Sequence, residues 1–473
     1  MALPRRRVPS PVLAGVFFVA CFLVIFVSGI ARISASLCGM SKTFLVLLFS
    51  SVGASLAGPY TYRCFERWAD RRCEAFLARV AILLSFSIPF SLILIFLLWK
   101  LLLLDHLMDF VVLSAVLAVP FLFSATIFIA VLSRFPREAG RLGLQISLGL
   151  VAGCMLGGFL FHFLSDVYVT VLNGVFATLA AFAFSWERNL RKQRSAAVAM
   201  TLFVTALSYF KTDISFARLD NGVTHSPSGY VLLRSLYDLL PSESIFARMI
   251  SSSVVVALLI ACLFLVLFRQ GRRLRSSLAC EKRMLLLYFV CVGIGLGIVG
   301  LSLFWEYSLF VADPLLASTL VLFILSASMA TGTWLVKKLA LAGRRNAIHG
   351  TLLLTAGALA CIITLYAGPF EDLVGLWKNA PALLRIPTVF LLLFPFGMLV
   401  GVTVPLAWSF VREEMVPDLP KIAGSLSGMF SLGLLLALCL SLGQGFDVSL
   451  MIGQVFLLMA FILVALMPQS PPT

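Results

Sequence analysis

The sequence predicts an all-α polytopic membrane protein of about fourteen transmembrane helices, ordered 6+2+6. Three observations carry this expectation. The 473 residues are 61% hydrophobic and 12% charged, with a mean hydropathy of +1.06, whereas a soluble domain is nearer ~45–50% apolar and ~25% charged. The basic residues collect in alternate loops. The two ends of the chain repeat one another at a fixed offset. Lipid offers no partner to a backbone N–H or C=O, so each crossing closes its own hydrogen bonds in a helix of roughly 20 mainly apolar residues.

The apolar runs place spans at 11–31, 43–62, 80–103, 110–133, 143–164, 167–185, 196–210, 249–268, 284–305, 315–336, 348–367, 386–411, 422–443 and 448–467. The first follows the basic run Arg5–Arg7, as a signal peptide would. Its apolar stretch is too long for one and lacks an A-x-A-like cleavage site, so it reads as an uncleaved span. The span at 196–210 is the shortest. Basic loops are "RCFERWADRRCEAFLAR" (63–79), "RFPREAGR" (134–141), "ERNLRKQR" (187–194), "RQGRRLRSSLACEKR" (269–283) and "KKLALAGRRN" (337–346). With fourteen spans all of these fall on one side. The other side holds "DHLMD" (105–109), Asp166, "EYSLFVAD" (306–313), "EDLVGLWK" (371–378) and Asp447. The positive-inside rule then puts both termini in the cytoplasm. Without the span at 196–210 every later loop would change sides and the bias would break. The net charge of +15 therefore reads as topology, and the expected partner is the lipid bilayer, not nucleic acid.

A shift of about 274–275 residues overlays the two ends of the chain. Span 11–31 meets 284–305, Phe49 meets Phe323, Gly58 meets Gly332, and Pro120-Phe121 meets Pro395-Phe396. Gly149, Gly153 and Gly158 meet Gly424, Gly428 and Gly433. Three units follow: a first six-helix half (1–195), an inserted helix pair carrying an external segment at 211–248 (196–268), and a second six-helix half (269–473). Parallel six-helix halves are a major-facilitator-like arrangement.

Candidate functional positions are few. The glycines at 149, 153, 158, 424, 428 and 433 lie on helix faces that let backbones approach in lipid. Static packing explains them; a seam along which two halves rock is the functional alternative. "GIGLGIVG" (293–300) is glycine-rich but mid-membrane, with no strand before it, so it is no nucleotide fingerprint. Pro89, Pro120, Pro395 and Pro405 fall inside spans and remove helical hydrogen bonds. Polar groups within or beside spans are Gln145, His162, Asn173, Gln454 and the rim residue Glu306, and these with Arg32 form the candidate solute path or gate. His162 lies near a helix end, where an interfacial role competes with one in transport. The ten cysteines are scattered singly without CxxC or a Cys/His cluster, so neither a disulfide framework nor a metal site is expected. No cofactor motif is present.

The stretch 211–248 contains "DNGVTHSPSGY" (220–230). At about 38 residues it is too small to fold alone. Its acids Asp213, Asp220, Asp238 and Glu243 are matched by Lys211, Arg218, Arg234 and Arg248, and no phosphate-binding loop occurs. Asn221-Gly222 marks a hairpin turn. Asp220, Asn221, His225 and Tyr230 are candidates for docking a protein partner.

Several stretches resemble the membrane part of bacterial spermidine-synthase-like membrane proteins, which have major-facilitator-like halves. They are "LAVPFLFSATIFIAVLSRFPREAGRLGLQISLGLVAGCMLGG" (117–158), "MLLLYFVCVGIGLG" (284–297), "LFVADPLLASTLVLFILSASMATGTWL" (309–335) and "LLLFPFGMLVGVTVPLAW" (391–408). The resemblance implies a bacterial inner-membrane location. In that family an aminopropyltransferase-like domain follows the first half. Here "ARLDNGVTHSPSGYVLL" (217–233) resembles only its first β-hairpin, and the catalytic core has no counterpart, so no enzymatic activity is expected. Relatives often carry a glutamate a few residues before an arginine in the first helix of each half. Arg32 matches that arginine, while Val27 and Gly300 stand at the acidic positions. Two functions are in view: a transporter or flippase for a small hydrophobic or amphipathic solute, and a non-transporting scaffold that docks a partner through 211–248.

Overall fold

The computed structural model describes residues 8–38, 40–71, 73–101, 107–135, 138–186, 190–209, 277–311, 314–340, 382–408, 419–444 and 446–465. These residues form α-helices and no strand. The first group is α1 (Ser10–Cys38), α2 (Met40–Arg71), α3 (Cys73–Leu101), α4 (Leu107–Arg134), α5 (Ala139–Phe163), α6 (Asp166–Leu172), α7 (Gly174–Trp186) and α8 (Arg191–Tyr209). The second is α9 (Ser277–Val311), α10 (Pro314–Ala340), α11 (Ala382–Trp408), α12 (Leu419–Gln444) and α13 (Phe446–Ala465). Eight helical stretches among the described residues are long and apolar enough to cross a membrane, from Ser10–Ser34 to Leu384–Thr403. The chain is an all-α, multi-pass membrane protein. The expected spans 249–268 and 348–367 and the segment 211–248 lie outside the described residues.

The expected span 167–185 is interrupted. Asn173 separates α6 from α7, its N–H bonding back to Val169 O at 2.9 Å while its own carbonyl accepts from Phe176 N at 3.0 Å. That i→i+3 bond tightens the turn locally. The prolines stay inside helices, Pro89 in α3, Pro120 in α4, and Pro395 and Pro405 in α11. Pro120 leaves the carbonyl of Val116 without its helical donor, and Ser91 Oγ of α3 donates to that carbonyl at 3.3 Å.

Packing follows the small residues. In the first part of the chain α1 lies on α5, α2 on α4, and α3 on α7. In the second, α9 lies on α12 and α13, and α10 on α11. The parts are joined chiefly by α5 with α10 and α2 with α12, and more narrowly by α4 with α12 and α5 with α11. At the α1–α5 seam a Cβ on Gly153 would lie 2.7 Å from Cys21 O, closer than any side chain tolerates. The same holds for Gly149 against Phe17 O, and for Gly297 and Gly433 at the α9–α12 seam against Phe430 O and Ile294 O. Without a hydrophobic drive between helices in lipid, this close backbone approach is what associates them.

The core of the first part is built on Phe22, Phe26, Leu84 and Phe184, and that of the second on Tyr288, Phe289 and Trp305. Leu48 of α2 and Ala139 of α5 are buried in the second cluster, so one apolar body continues across the two parts. Large apolar side chains also face outward, Leu83, Phe86, Phe90 and Ile93 along α3 and Val198, Leu202 and Phe203 along α8. A water-soluble helix would hide these; here the solvent is hydrocarbon.

Helix α8 does not itself reach the hydropathy of a span, because Arg191, Lys192 and Arg194 occupy its first turn. It nevertheless packs on α7, α3 and α6. Arg194 meets Ser185 and Trp186, Thr201 Oγ1 lies 2.8 Å from Thr178 Oγ1, and Val204 lies against Gly174. These pairs run in opposite directions along the two segments, so α8 is antiparallel to α7 over about 15 Å from Arg194 to Val204.

Candidate functional site

Successive helices put Arg63, Arg134, Arg141 and Arg191 at one end of the bundle, the basic end, and the approach of Thr333 to Gly143 brings Lys338 to the same end. At the opposite end three helices meet around Arg32. It lies near the end of α1, and its Nη1 is 3.7 Å from Asp166 Oδ1 at the start of α6. Its guanidinium carbon stands 5.0 Å over the ring of Phe161 from α5. Ser165 caps α6, its Oγ accepting from Tyr168 N at 3.4 Å, and Asp166 in the first turn suits the positive end of the helix dipole. The ion pair is partly open to the surroundings, at 38% and 40% side-chain exposure.

The other expected path residues do not form one cluster with it. His162 is exposed and packs edge-on against Phe163 at 4.9 Å. Asn173 is buried, and its Nδ2 donates to Phe22 O in the middle of α1 at 2.9 Å. Its Oδ1 has no hydrogen-bond partner among the described residues. Gln145 lies on α5 about 25 Å along the helix from His162. Gln454 on α13 and Glu306 on α9, both half-buried, belong to the second part. Asp220, Asn221, His225 and Tyr230 lie outside the described residues.

The glycines separate by environment. Gly149 and Gly153 face α1 and Gly433 faces α9, while Gly428 is buried in α12 and Gly424 lies in the same helix. Gly158 is exposed with nothing within 4 Å of a Cβ placed there; its neighbour Gly157 is the residue against Ile25 of α1. Sequence reading missed the α10–α11 seam, where Gly332 meets Met398 O, and Gly401 meets Met329 O. The signal was present as Gly397-x-x-x-Gly401. It also treated Asp166 as a rim charge and did not pair it with Arg32.

Buried contacts between helices are made by hydroxyls. Ser50 Oγ donates to Ser114 O at 2.9 Å, Ser85 Oγ to Gly174 O at 3.0 Å, and Thr333 Oγ1 to Gly401 O at 3.1 Å. Ser302 and Ser449 hydroxyls are 2.8 Å apart. Such neutral pairs fix helices without the cost of a charge in lipid. Cys21, Cys73, Cys154 and Cys291 are buried and form no disulfide among the described residues. Among the described residues no group of three or more His, Cys, Asp or Glu could hold a metal ion.

Fold and site together define the class: an all-α membrane protein that crosses the bilayer several times. Neither the family models nor the curated proteins contain a match to the chain.

Proposed function

We propose that the chain is a major-facilitator-like transporter or flippase that moves a small hydrophobic or amphipathic solute between two six-helix halves. One observation carries the reading. If α1, α2, α4 and α5 correspond to α9, α10, α11 and α12, the pair α1–α5 maps to α9–α12 and α2–α4 to α10–α11. The joining contact α5–α10 then maps to α12–α2, which also joins the parts, and the smaller contact α4–α12 likewise maps to α11–α5. An axis along the membrane normal relating two parallel halves produces that self-consistent set. The antiparallel course of α8 supports counting it as a crossing, and hence the 6+2+6 order. The basic end then faces the cytoplasm of a bacterial inner membrane, with both termini there and 211–248 outside.

The resemblance to spermidine-synthase-like membrane proteins is taken for the membrane part alone, and the reading contains no catalytic step and no cofactor. Hydroxyl-bridged interiors suit a solute of low polarity. Gly300, at one of the two positions where relatives often hold a glutamate, has nothing within 4 Å of a Cβ placed there. That space is where a solute would pass between the halves.

A second reading, a non-transporting scaffold that docks a partner through 211–248, is favoured by a different observation. No residue of α1 from 11 to 34 or of α9 from 283 to 307 is exposed, and the apolar core is continuous between the parts. Substituted-cysteine labelling separates the two. Gly300→Cys in a cysteine-free background is treated with a small membrane-impermeant methanethiosulfonate from either side of sealed vesicles. Alternating access predicts labelling from both sides; a scaffold predicts protection from both.

A further inference from the structure

We propose that the basic end carries a collar that binds phospholipids of net negative head group through three aromatic–cation pairs. Arg63 lies 6.0 Å over Tyr60 on α2, Arg194 4.7 Å over Trp186 at the α7–α8 corner, and Lys338 4.1 Å over Trp334 on α10. The three sit on different helices, in both parts of the chain, at one end. Their rings face outward, at 69%, 54% and 45% exposure for Tyr60, Trp186 and Trp334.

An amphipathic ring on the outer wall of a membrane helix belongs at head-group level. The cation stacked on it is thereby held at the same level. Stacking uses the face of the ring and leaves N–H donors pointing away from it. Among the described residues neither Arg63 nor Lys338 has a carboxylate within ion-pair distance. Arg194 spends donors on the carbonyls of Ser185 and Trp186, which end α7, yet its charge is not neutralised there. A phosphate oxygen is an acceptor that fits these donors. A zwitterionic head group brings an ammonium along with its phosphate and is repelled by the same cations. An anionic head group has only the attractive part, and each cation near the surface contributes about fivefold to its binding. The inference stands apart from whether the protein transports anything.

The test uses the full chain in a mild non-ionic detergent, titrated with phosphatidylglycerol or phosphatidylethanolamine and read by native mass spectrometry. The wild type is expected to retain phosphatidylglycerol in preference. R63Q and K338Q are each expected to lower that preference about fivefold. W334L keeps every charge but removes a ring, and is expected to lower it as well. R134Q removes a cation from the same end that has no ring beneath it among the described residues, and is expected to lower the preference clearly less than K338Q. Thermal unfolding without lipid confirms that each variant is folded. Equal retention of the two lipids by the wild type overturns the proposal. So does an R134Q effect as large as that of K338Q, which would mean diffuse charge instead of a collar.

Discussion

Arg32 of α1 reaches Asp166 of α6 at 3.7 Å while its guanidinium covers Phe161 of α5. One side chain thus ties three helices together at the end of the bundle opposite most of the positive charge. Both partners are more than a third exposed, so the pair itself is worth only about 0.2–1 kcal/mol, with the ring contact adding roughly 0.5–1 kcal/mol. Arg32→Ala is expected to destabilise by about 1 kcal/mol, and Asp166→Asn by less, because the ring contact survives. A double-mutant cycle on thermal unfolding in detergent checks this. A coupling energy of zero would show that the two residues are neighbours without interacting.

The α1–α5 seam predicts opposite signs for two glycines five residues apart in sequence. Gly153→Val drives a branched side chain onto the Cys21 carbonyl and is expected to cost about 1–3 kcal/mol. Gly158→Ala meets open space and gains helix propensity of up to about 1 kcal/mol. Unfolding midpoints of the two variants, measured side by side, decide it.

Asn173 holds α1 through Phe22 O at the break between α6 and α7. Interhelical polar bonds in membranes average about 0.6 kcal/mol and reach about 1.7 kcal/mol. Asn173→Leu is expected to lose an amount in that range. Hydrogen exchange of the amides at 173–176 should quicken in the variant, since the turn there is anchored by the same side chain. Unchanged exchange would remove Asn173 from the account of the break.

Helix α8 is expected to cross the membrane only as the second arm of a hairpin with α6–α7. Its inward side is Ala197, Thr201 and Val204, and its polar contact is to Thr178. A cysteine at position 188 and one at position 215 should therefore react with an impermeant maleimide from opposite sides of intact cells. Reaction from the same side would remove the crossing and invert every later helix.

Much of this architecture is legible in the sequence, because lipid solvent makes helix existence a matter of local composition. The runs at 11–31, 43–62 and 110–133 each fall within a single observed helix. The repeat offset pairs Gly58 with Gly332, and both lie where helices touch, on α4 and α11 respectively. What sequence leaves out is rotation about the helix axis. Gly157 and Gly158 look interchangeable in "LGG", yet one faces α1 and the other faces outward. The break at Asn173 is likewise invisible to hydropathy, since it depends on a carbonyl 151 residues away. Arg32 and Asp166 are each visible as charges, but their meeting at Phe161 needs three helices to converge.

The central claim is that two halves move against each other across the α5–α10 and α2–α12 contacts. Its most direct test uses the α5–α10 contact, where a Cβ on Gly143 would lie 3.5 Å from Thr333 Cγ2. Spin labels on Gly143→Cys and Thr333→Cys, read by pulsed dipolar spectroscopy in lipid nanodiscs, report the separation at that point. The account predicts two populations, one short as in this structure and one longer by several ångströms. A single narrow short-distance population under all conditions would contradict it and leave the scaffold reading.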